Sequence, residues 1–434
     1  MVVIKGDLRA SYDLVPIEKY YLVGGLNPFS RRIDAPFAVL QFERGCRAHC
    51  TFCSVRDFVG RGVRHRAVED VLAEMTFLVE ERGIRHFELL DDDPNFHREA
   101  FKAVLRAIIA RKWPIRWSTN NGFIAAALDE ETLELMRQSN CIGFKVGIES
   151  GNEEIFAKIR KPGKLYKFLA LSERLEKFPE LFVGGNYIIG LPGETFGQMM
   201  DTFRFALEVK YDWAAMVVCQ AIRGATAFSE LGEYFEHQMK TEGTEVKNFM
   251  PARESKLGHL SDSSGVLRNL DVFKLGSSLV PCEDQCREIW FTFNLMANYV
   301  SNKNLRPGGY PEKFIDWVQA AMRAYPTNPY MKMFIGFAYR LLGDDIQADA
   351  CHEAAQRFCN SDYWRDRFSA FFLDRLLAEK PASPEQVYAG VERIWQLQQT
   401  MCANWLALPR GLVPVPGSPP NTTVALSESG QSCA

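Results

Sequence analysis

From residue 36 to 228, short β-branched runs alternate with segments of helical period, and that alternation leaves the chain few folds to adopt. A strand, an amphipathic helix and a second strand make a right-handed parallel crossover. Six such units in succession predict an α/β fold in which a parallel sheet curls into an open barrel. The strands are expected at 38–43, 86–90, 115–118, 143–148, 183–190 and about 214–221. After the first strand, Val68, Val71, Leu72, Met75, Leu78 and Val79 recur on one helical face; after the second, Phe101, Val104, Leu105, Ile108 and Ile109 do the same. Further helices are expected at 129–139, 152–160, 165–178 and 196–209. In such a barrel, function belongs to the loops at the C-terminal strand ends.

The barrel pattern occupies residues 36–228, preceded by a linker-like segment at 1–35. Residues 229–285 scatter Gly, Ser and charge through KTEGTEV and LSDSSG and are expected to be a partly ordered connector. From 286 to 406, stretches such as EKFIDWVQAAMRAY and MKMFIGFAYRLLGD are amphipathic and aromatic, predicting a small all-α C-terminal domain. Residues 334–358 resemble a single tetratricopeptide hairpin. A solenoid needs about three repeats, so a compact helical domain is expected. The tail, 407–434, is rich in Pro, Gly, Ser and Thr and is expected to be disordered.

The 47% apolar content is enough to build ordinary cores, and the net charge of -3 gives no electrostatic case for nucleic acid as the main partner. No run approaches the ~18 apolar residues of a membrane span, and the N-terminus lacks a signal-peptide pattern. A cytoplasmic protein is expected. Eleven cysteines, an odd number with three tightly clustered, favour a reducing compartment in which the cluster serves metal ligation or catalysis.

Directly after the first strand comes ERGCRAHCTFCSVRDFVGRG, with Cys46, Cys50 and Cys53 spaced C-x3-C-x2-C. Gaps of four and three residues reach at most ~14 Å and ~11 Å, so a curled loop brings all three sulfurs to one metal cluster. Two other readings stand beside it: a tetrahedral zinc site recruiting His49 as fourth ligand, and fortuitous grouping of core cysteines. The polar RAH insert and the flanking Gly45 and Gly60 do not look like core.

This spacing, with aromatic Phe52 before the last cysteine, resembles the motif of the radical S-adenosylmethionine (SAM) superfamily. The resemblance implies a (β/α)6 partial TIM barrel in which Cys46, Cys50 and Cys53 ligate a [4Fe-4S] cluster and Phe52 lies near the adenine of SAM. The absent fourth cysteine then has a meaning, because the open iron must chelate the amino and carboxylate groups of SAM. The implied reaction is reductive cleavage of SAM to methionine and a 5′-deoxyadenosyl radical, which abstracts hydrogen from a substrate. It also implies a low-potential electron donor such as flavodoxin or ferredoxin.

Other strand ends add to the resemblance. Asp91, Asp92 and Asp93 in FELLDDDPN stand where the superfamily holds the methionine amino group, although an acidic triplet before a helix also serves as a solvated turn and cap. KVGIESGN resembles the segment of the subfamily containing methylthiotransferases and cobalamin-associated enzymes, and implies that Glu149 or Ser150 bonds the ribose or methionine part of SAM. NYIIGLPGE implies an adenine pocket lined by Ile188 and Ile189, with close approach at Gly190 and Glu194 starting the next helix. Asn120, Asn121, Gln220 and Arg223 are expected at the mouth as substrate-pocket candidates.

SYDLVPIEKY resembles the linker that follows a cobalamin-binding domain in many relatives, while that domain and a D-x-H-x2-G motif are both missing from the sequence. Cobalamin-dependent methyl transfer with a separately supplied corrinoid domain is therefore the alternative reaction. A metal-bearing, non-catalytic scaffold is the alternative of another class. The substrate is expected to be a small biosynthetic or lipid-like molecule. Cys282 and Cys286 form a further C-x3-C pair, expected as helix-start residues rather than ligands of an auxiliary cluster, and Cys351, Cys359 and Cys402 are expected in the core.

Overall fold

The computed structural model describes residues 9–23, 35–220, 268–407, 412–414 and 423–425. They belong to two compact units. The first gathers the described residues of Met1–Ile148 and Ala157–Asn186; the second gathers Glu149–Phe156, Tyr187–Gln220 and the described residues of Gly243–Ala434.

Six strands form one sheet in sequence order: β1 (Phe37–Leu40), β2 (His86–Leu89), β3 (Arg116–Phe123), β4 (Cys141–Glu149), β5 (Phe182–Ile189) and β6 (Trp213–Val218). Helices α1 (Val68–Glu80), α2 (Arg98–Arg111), α3 (Glu130–Gln138), α4 (Glu153–Lys158), α5 (Tyr166–Leu175) and α6 (Phe196–Val209) fall between successive strands. This is the α/β topology of a partial (β/α)6 TIM barrel. Local sequence explains several starts: Asp129 caps α3 by accepting from Thr132 N at 2.8 Å, and Asn152 caps α4 by accepting from Ile155 N at 3.0 Å. Thr195 and Gln198 form a reciprocal capping box on α6. Glu194, expected to start that helix, instead folds back to accept from Leu191 N at 3.0 Å.

In the first unit, β1 pairs parallel with β2, β2 with β3 and β3 with β4. Their register aligns Val39, Glu88, Ser118 and Gly143 in one row, so these residues share a face of the sheet. Two boundaries differ from expectation. The first strand stops at Leu40, and Glu43–Arg44 leaves the sheet to pair antiparallel with Arg64–His65. The third continues to Phe123 through register shifts that carry Asn120 and Asn121 in an irregular extension. Gly122 makes that bulge with φ +96, and a Cβ there would stand 3.3 Å from Gly147 N.

In the second unit, α6 is buried almost all round, with Phe196, Met199, Met200, Phe203 and Phe205 at 0% exposure. Phe203 stacks on Phe293 of α7 (Glu283–Leu295) at 4.4 Å. The edge strand β6 is covered by a side chain that mimics backbone: Asn298 accepts from Ala214 N at 2.7 Å and donates to Ala214 O at 2.8 Å. Beyond α8 (Pro311–Met322), the expected hairpin is formed by α9 (Pro329–Leu341) and α10 (Asp345–Phe358). Gly336 permits their close approach, since a Cβ would meet Ala348 O and Cys351 Cβ at 3.2 Å.

Within the tail expected to be disordered, Leu412–Pro414 pairs antiparallel with Thr423–Ala425. Arg223, most of the connector expected over 229–285, and much of the segments 1–35 and 407–434 lie outside the described residues. Among the described residues, no helix is long and apolar enough to cross a membrane.

Candidate functional site

The cysteines occupy a loop with a closed neck. The Glu43–Arg44 and Arg64–His65 ribbon brings the two ends of residues 45–63 together. At the neck, Gly45 has φ +97, and a Cβ there would lie 2.2 Å from Gly62 O, so only glycine fits without displacing the backbone. Inside the loop, Cys53 N donates to Cys50 O at 3.2 Å, Ala48 N donates to the Cys46 thiol at 3.4 Å, and a short helix, Val55–Phe58, follows Cys53.

Asp92 and Asp93 after β2 reach this loop, and Asp91 reaches the segment that leads into it. Asp91 Oδ1 accepts from Phe42 N at 2.9 Å and from Glu43 N. Asp92 Oδ2 accepts from Gly45 N at 2.8 Å. Asp93 takes Arg47 in a two-point grip, from Nε at 2.5 Å and Nη2 at 2.9 Å, while the guanidinium lies 4.7 Å from the Phe96 ring centroid. The other side of the loop is tied by Thr51 N donating to Ile159 O at 3.0 Å. Beneath it, the buried Glu43 carboxylate accepts from Phe96 N at 3.1 Å, His97 N at 2.9 Å and His97 Nδ1 at 2.8 Å.

The electrostatics follow from burial. Asp91 is fully buried, which pushes its carboxyl up to about 8 despite the two amides it accepts, with Glu43 adding to the rise. Burial also raises Glu43 against its bonds with His97 and Phe96. The Cys46 thiol is raised chiefly by burial and also by Asp93 and Cys53, while Lys161 acts in the opposite sense.

Cys46, Cys50 and Cys53 are partly exposed thiols. Among the described residues, no three His, Cys, Asp or Glu side chains converge closely enough to hold one metal ion. As a donor set they fit a [4Fe-4S] cluster nonetheless: three thiols on one closed loop supply three thiolates and leave one iron open. His49, the fourth ligand of a zinc reading, is exposed with Nε2 3.0 Å from Arg56 Nη1. Phe52 is partly exposed in the same loop.

In the second unit, Glu149 ends β4 in the left-handed region at φ +70, a costly conformation for a residue with a side chain. The turn after it is held on α6: Ser150 Oγ lies 3.2 Å from Thr202 Oγ1, Gly151 N donates to Thr202 Oγ1 at 3.0 Å, and Asn152 Nδ2 donates to Asp201 Oδ2 at 2.6 Å. Ile188 and Ile189 are consecutive in β5 and face opposite sides of the sheet; Ile189 is fully buried and Ile188 partly exposed. Gly190 has φ +73, with its Cβ position 3.2 Å from Cys286 Sγ. Cys282 is the N-cap of α7 and Cys286 Sγ points to Pro281 O at 3.6 Å, the helix-start arrangement expected. Cys351 and Cys402 are buried, whereas Cys359 is partly exposed.

The sequence reading missed a buried polar group on the sheet face of the first unit. Glu88 accepts from Ser118 Oγ at 2.5 Å and from Asn120 Nδ2 at 2.6 Å. Lys145, on the same face, is pulled down to about 8 by burial against the attraction of Glu88. Gly184 leaves room for its stem, since a Cβ would stand 3.3 Å from Lys145 Cγ. A charged residue inside each of two apolar strands was the available signal. Asn120 is thus engaged with Glu88, Asn121 is exposed and Gln220 is partly exposed.

Residues 40–206 match the family model described as the Radical SAM superfamily. A cytidylyl-2-hydroxyethylphosphonate methyltransferase of Streptomyces wedmorensis is 30% identical over 49% of this chain and 41% of its own length. An uncharacterized methyltransferase of Pyrococcus horikoshii is 28% identical over 49% of this chain and 44% of its own. The chain therefore spans less than half the length of these relatives. Among solved structures, the radical SAM methyltransferase TsrM of Kitasatospora setae is similar over 50% of this chain and 38% of that one, at 19% identity and TM-score 0.42.

Proposed function

Because the chain belongs to the radical SAM superfamily through residues 40–206, whose cofactors are a [4Fe-4S] cluster and SAM, we propose that Cys46, Cys50 and Cys53 ligate that cluster. Bound there, it supplies the electron that splits SAM into methionine and a 5′-deoxyadenosyl radical, and the radical takes hydrogen from a small biosynthetic or lipid-like substrate. The observation that supports this reading is the closed loop that bears the three thiols, held at Gly45 by Asp92 and at Arg47 by Asp93, with Asp91 fixing the segment that leads into it.

The chain's own residues divide the work. The Asp92 and Asp93 carboxylates keep the loop in place, which leaves the methionine amino group to the backbone carbonyls of the Asp91–Asp93 turn. Phe52 covers the adenine, and Ile188 and Gly190 are the strand-end residues that contact SAM, whereas Ile189 faces the other side of the sheet from Ile188 and is fully buried. Glu149, in its strained backbone conformation, takes the ribose hydroxyls, with Ser150 fixing the turn through Thr202. A low-potential one-electron carrier of the flavodoxin or ferredoxin kind, in a reducing cytoplasm, supplies the electron.

A second reading, cobalamin-dependent methyl transfer with the corrinoid domain supplied separately, is favoured by the two relatives named as methyltransferases. One experiment separates the readings: anaerobic reconstitution with iron and sulfide, reduction with dithionite, addition of SAM, and identification of the adenosyl products. 5′-Deoxyadenosine is expected. S-adenosylhomocysteine would move the assignment to methyl transfer, and zinc retained in place of iron, with neither product, would overturn both.

A further inference from the structure

Two imidazoles lie together at the neck of the cysteine loop. Glu43 and His65 stand directly opposite each other in the two-stranded ribbon, and His97, the N-cap residue of α2, brings its ring to 4.2 Å from the His65 ring, centroid to centroid. Each ring is fixed through Nδ1. The Arg66 carbonyl, which can only accept, takes the His65 Nδ1 hydrogen at 2.8 Å, and the buried Glu43 carboxylate takes the His97 Nδ1 hydrogen at 2.8 Å. A neutral imidazole held in this way carries its lone pair on Nε2. Among the described residues, neither Nε2 meets a hydrogen-bond partner. The Phe42 ring lies 5.8 Å from His65 and Phe96 packs edge-on against His97 at 4.7 Å, while 28% of the His97 side chain stays open to solvent.

A ring nitrogen anchored on a carboxylate or a carbonyl, with the other nitrogen left as a lone pair, is how proteins prepare a histidine to bind a metal. Both rings here have that preparation, and with metal–nitrogen bonds of about 2.0–2.1 Å two rings this close can reach one ion. We propose that His65 and His97 bind a divalent transition-metal ion of the zinc class through their Nε2 atoms, with Glu43 positioning His97 and solvent completing the coordination. Imidazole nitrogen suits zinc, nickel and copper, whereas magnesium and calcium favour oxygen ligands. A donor set of two side chains agrees with the finding that no three His, Cys, Asp or Glu converge on one point among the described residues. Charge favours the ion as well. Glu43 is wholly buried behind His97, and the arginines on either side of His65 are turned to other partners, Arg64 to Val59 O at 2.6 Å and Arg66 to Glu74. The ion joins the ribbon that closes the cysteine loop to the start of α2, a tie that does not depend on the reaction run at the cysteines.

The test titrates zinc chloride anaerobically into the cluster-loaded chain against a chromophoric chelator, with X-ray absorption at the zinc edge reading the ligand atoms and iron analysis reading the cluster. One equivalent of zinc bound by nitrogen and oxygen, with iron retained, is expected. His65→Gln and His97→Gln should each weaken zinc binding at least about tenfold, and Glu43→Gln, which removes the charge behind His97, about tenfold. His49→Gln, at the exposed histidine of the cysteine loop, should bind zinc as the wild type does. Zinc should also raise the urea midpoint of the wild type but not of the His65 and His97 variants, whose midpoints without metal report whether they fold. Sulfur ligands on the zinc with loss of iron, or an affinity unchanged in both histidine variants, would overturn the site. The first of these is read on the wild type alone and decides the matter even where a variant does not fold.

Discussion

The Arg47 guanidinium, one residue past Cys46, holds the Asp93 carboxylate at 2.5 and 2.9 Å, so the residue next to the first cysteine is fixed by an acid 46 positions further along the chain. Asp93 is 1% exposed and Arg47 30%, a partly dry pair in which removing one partner strands the other. Asp93→Ala is expected to cost on the order of 1–3 kcal/mol and to lower the iron retained per chain. Chemical denaturation and iron analysis of the reconstituted protein check this. Unchanged iron loading would mean that the grip does not hold the loop.

Two glycines at the neck should respond differently to the same substitution. Gly45→Ala places a methyl 2.2 Å from Gly62 O on a backbone at φ +97, whereas Gly62→Ala, at φ +80, meets nothing within 4 Å. The first is expected to cost about 2–4 kcal/mol and the second about 1 kcal/mol from backbone strain alone. Urea midpoints of the two variants decide the matter, and equal losses would refute the steric account of the neck.

Asp91 gives a pH dependence with a definite sign. Its folded value, pushed up to about 8 by burial, lies above the ordinary 3.8, so the native state holds a proton that the unfolded chain has released. The stabilisation is complete below about 4 and is lost as pH rises through about 8. The neutral acid keeps both amides on Oδ1, and Oδ2, which has no partner among the described residues, can carry the proton. Asp91→Asn should flatten the decline of stability between those values, and a slope equal to that of the wild type would rule the assignment out.

Glu88 and Lys145 predict a destabilisation that depends on pH. Glu88→Gln removes the charge that opposes the burial of Lys145, with a loss on the order of 3 kcal/mol while the lysine is charged. Since Lys145 sits at about 8 in the native protein and falls further in the variant, the loss should shrink as pH rises towards that value and be absent above it. Thermal midpoints at acid and alkaline pH test the direction, and a constant difference would show that the two side chains are not coupled.

Much of the barrel was legible because its signals are local. Helical spacing of Val71, Leu72, Met75 and Leu78 marks α1, and these residues are buried as the pattern required. The cysteine spacing, the Thr195–Gln198 capping box and the alternation of strand and helix all lie within a few residues of one another. The extension of β3 through Gly122 was hidden because a bulge depends on the neighbouring strand. Glu88 and Lys145 were passed over for a similar reason: a charge inside an apolar strand acquires meaning only when the register reveals what lies beside it.

The amino-acid order by itself determined the succession of strands and helices, the grouping of three thiols on one loop, and the family to which that loop points, because periodicity and short spacings are properties of neighbouring residues. Only the tertiary structure decided that Asp92 and Asp93 tie down the loop and Asp91 the segment leading into it, that Ser150 belongs to Thr202, and that the Thr51 amide meets the Ile159 carbonyl. The physical reason is that a hydrogen-bond donor or a charge can be satisfied by many partners of the same chemistry, and which one it meets is settled by the packing of the sheet and its helices.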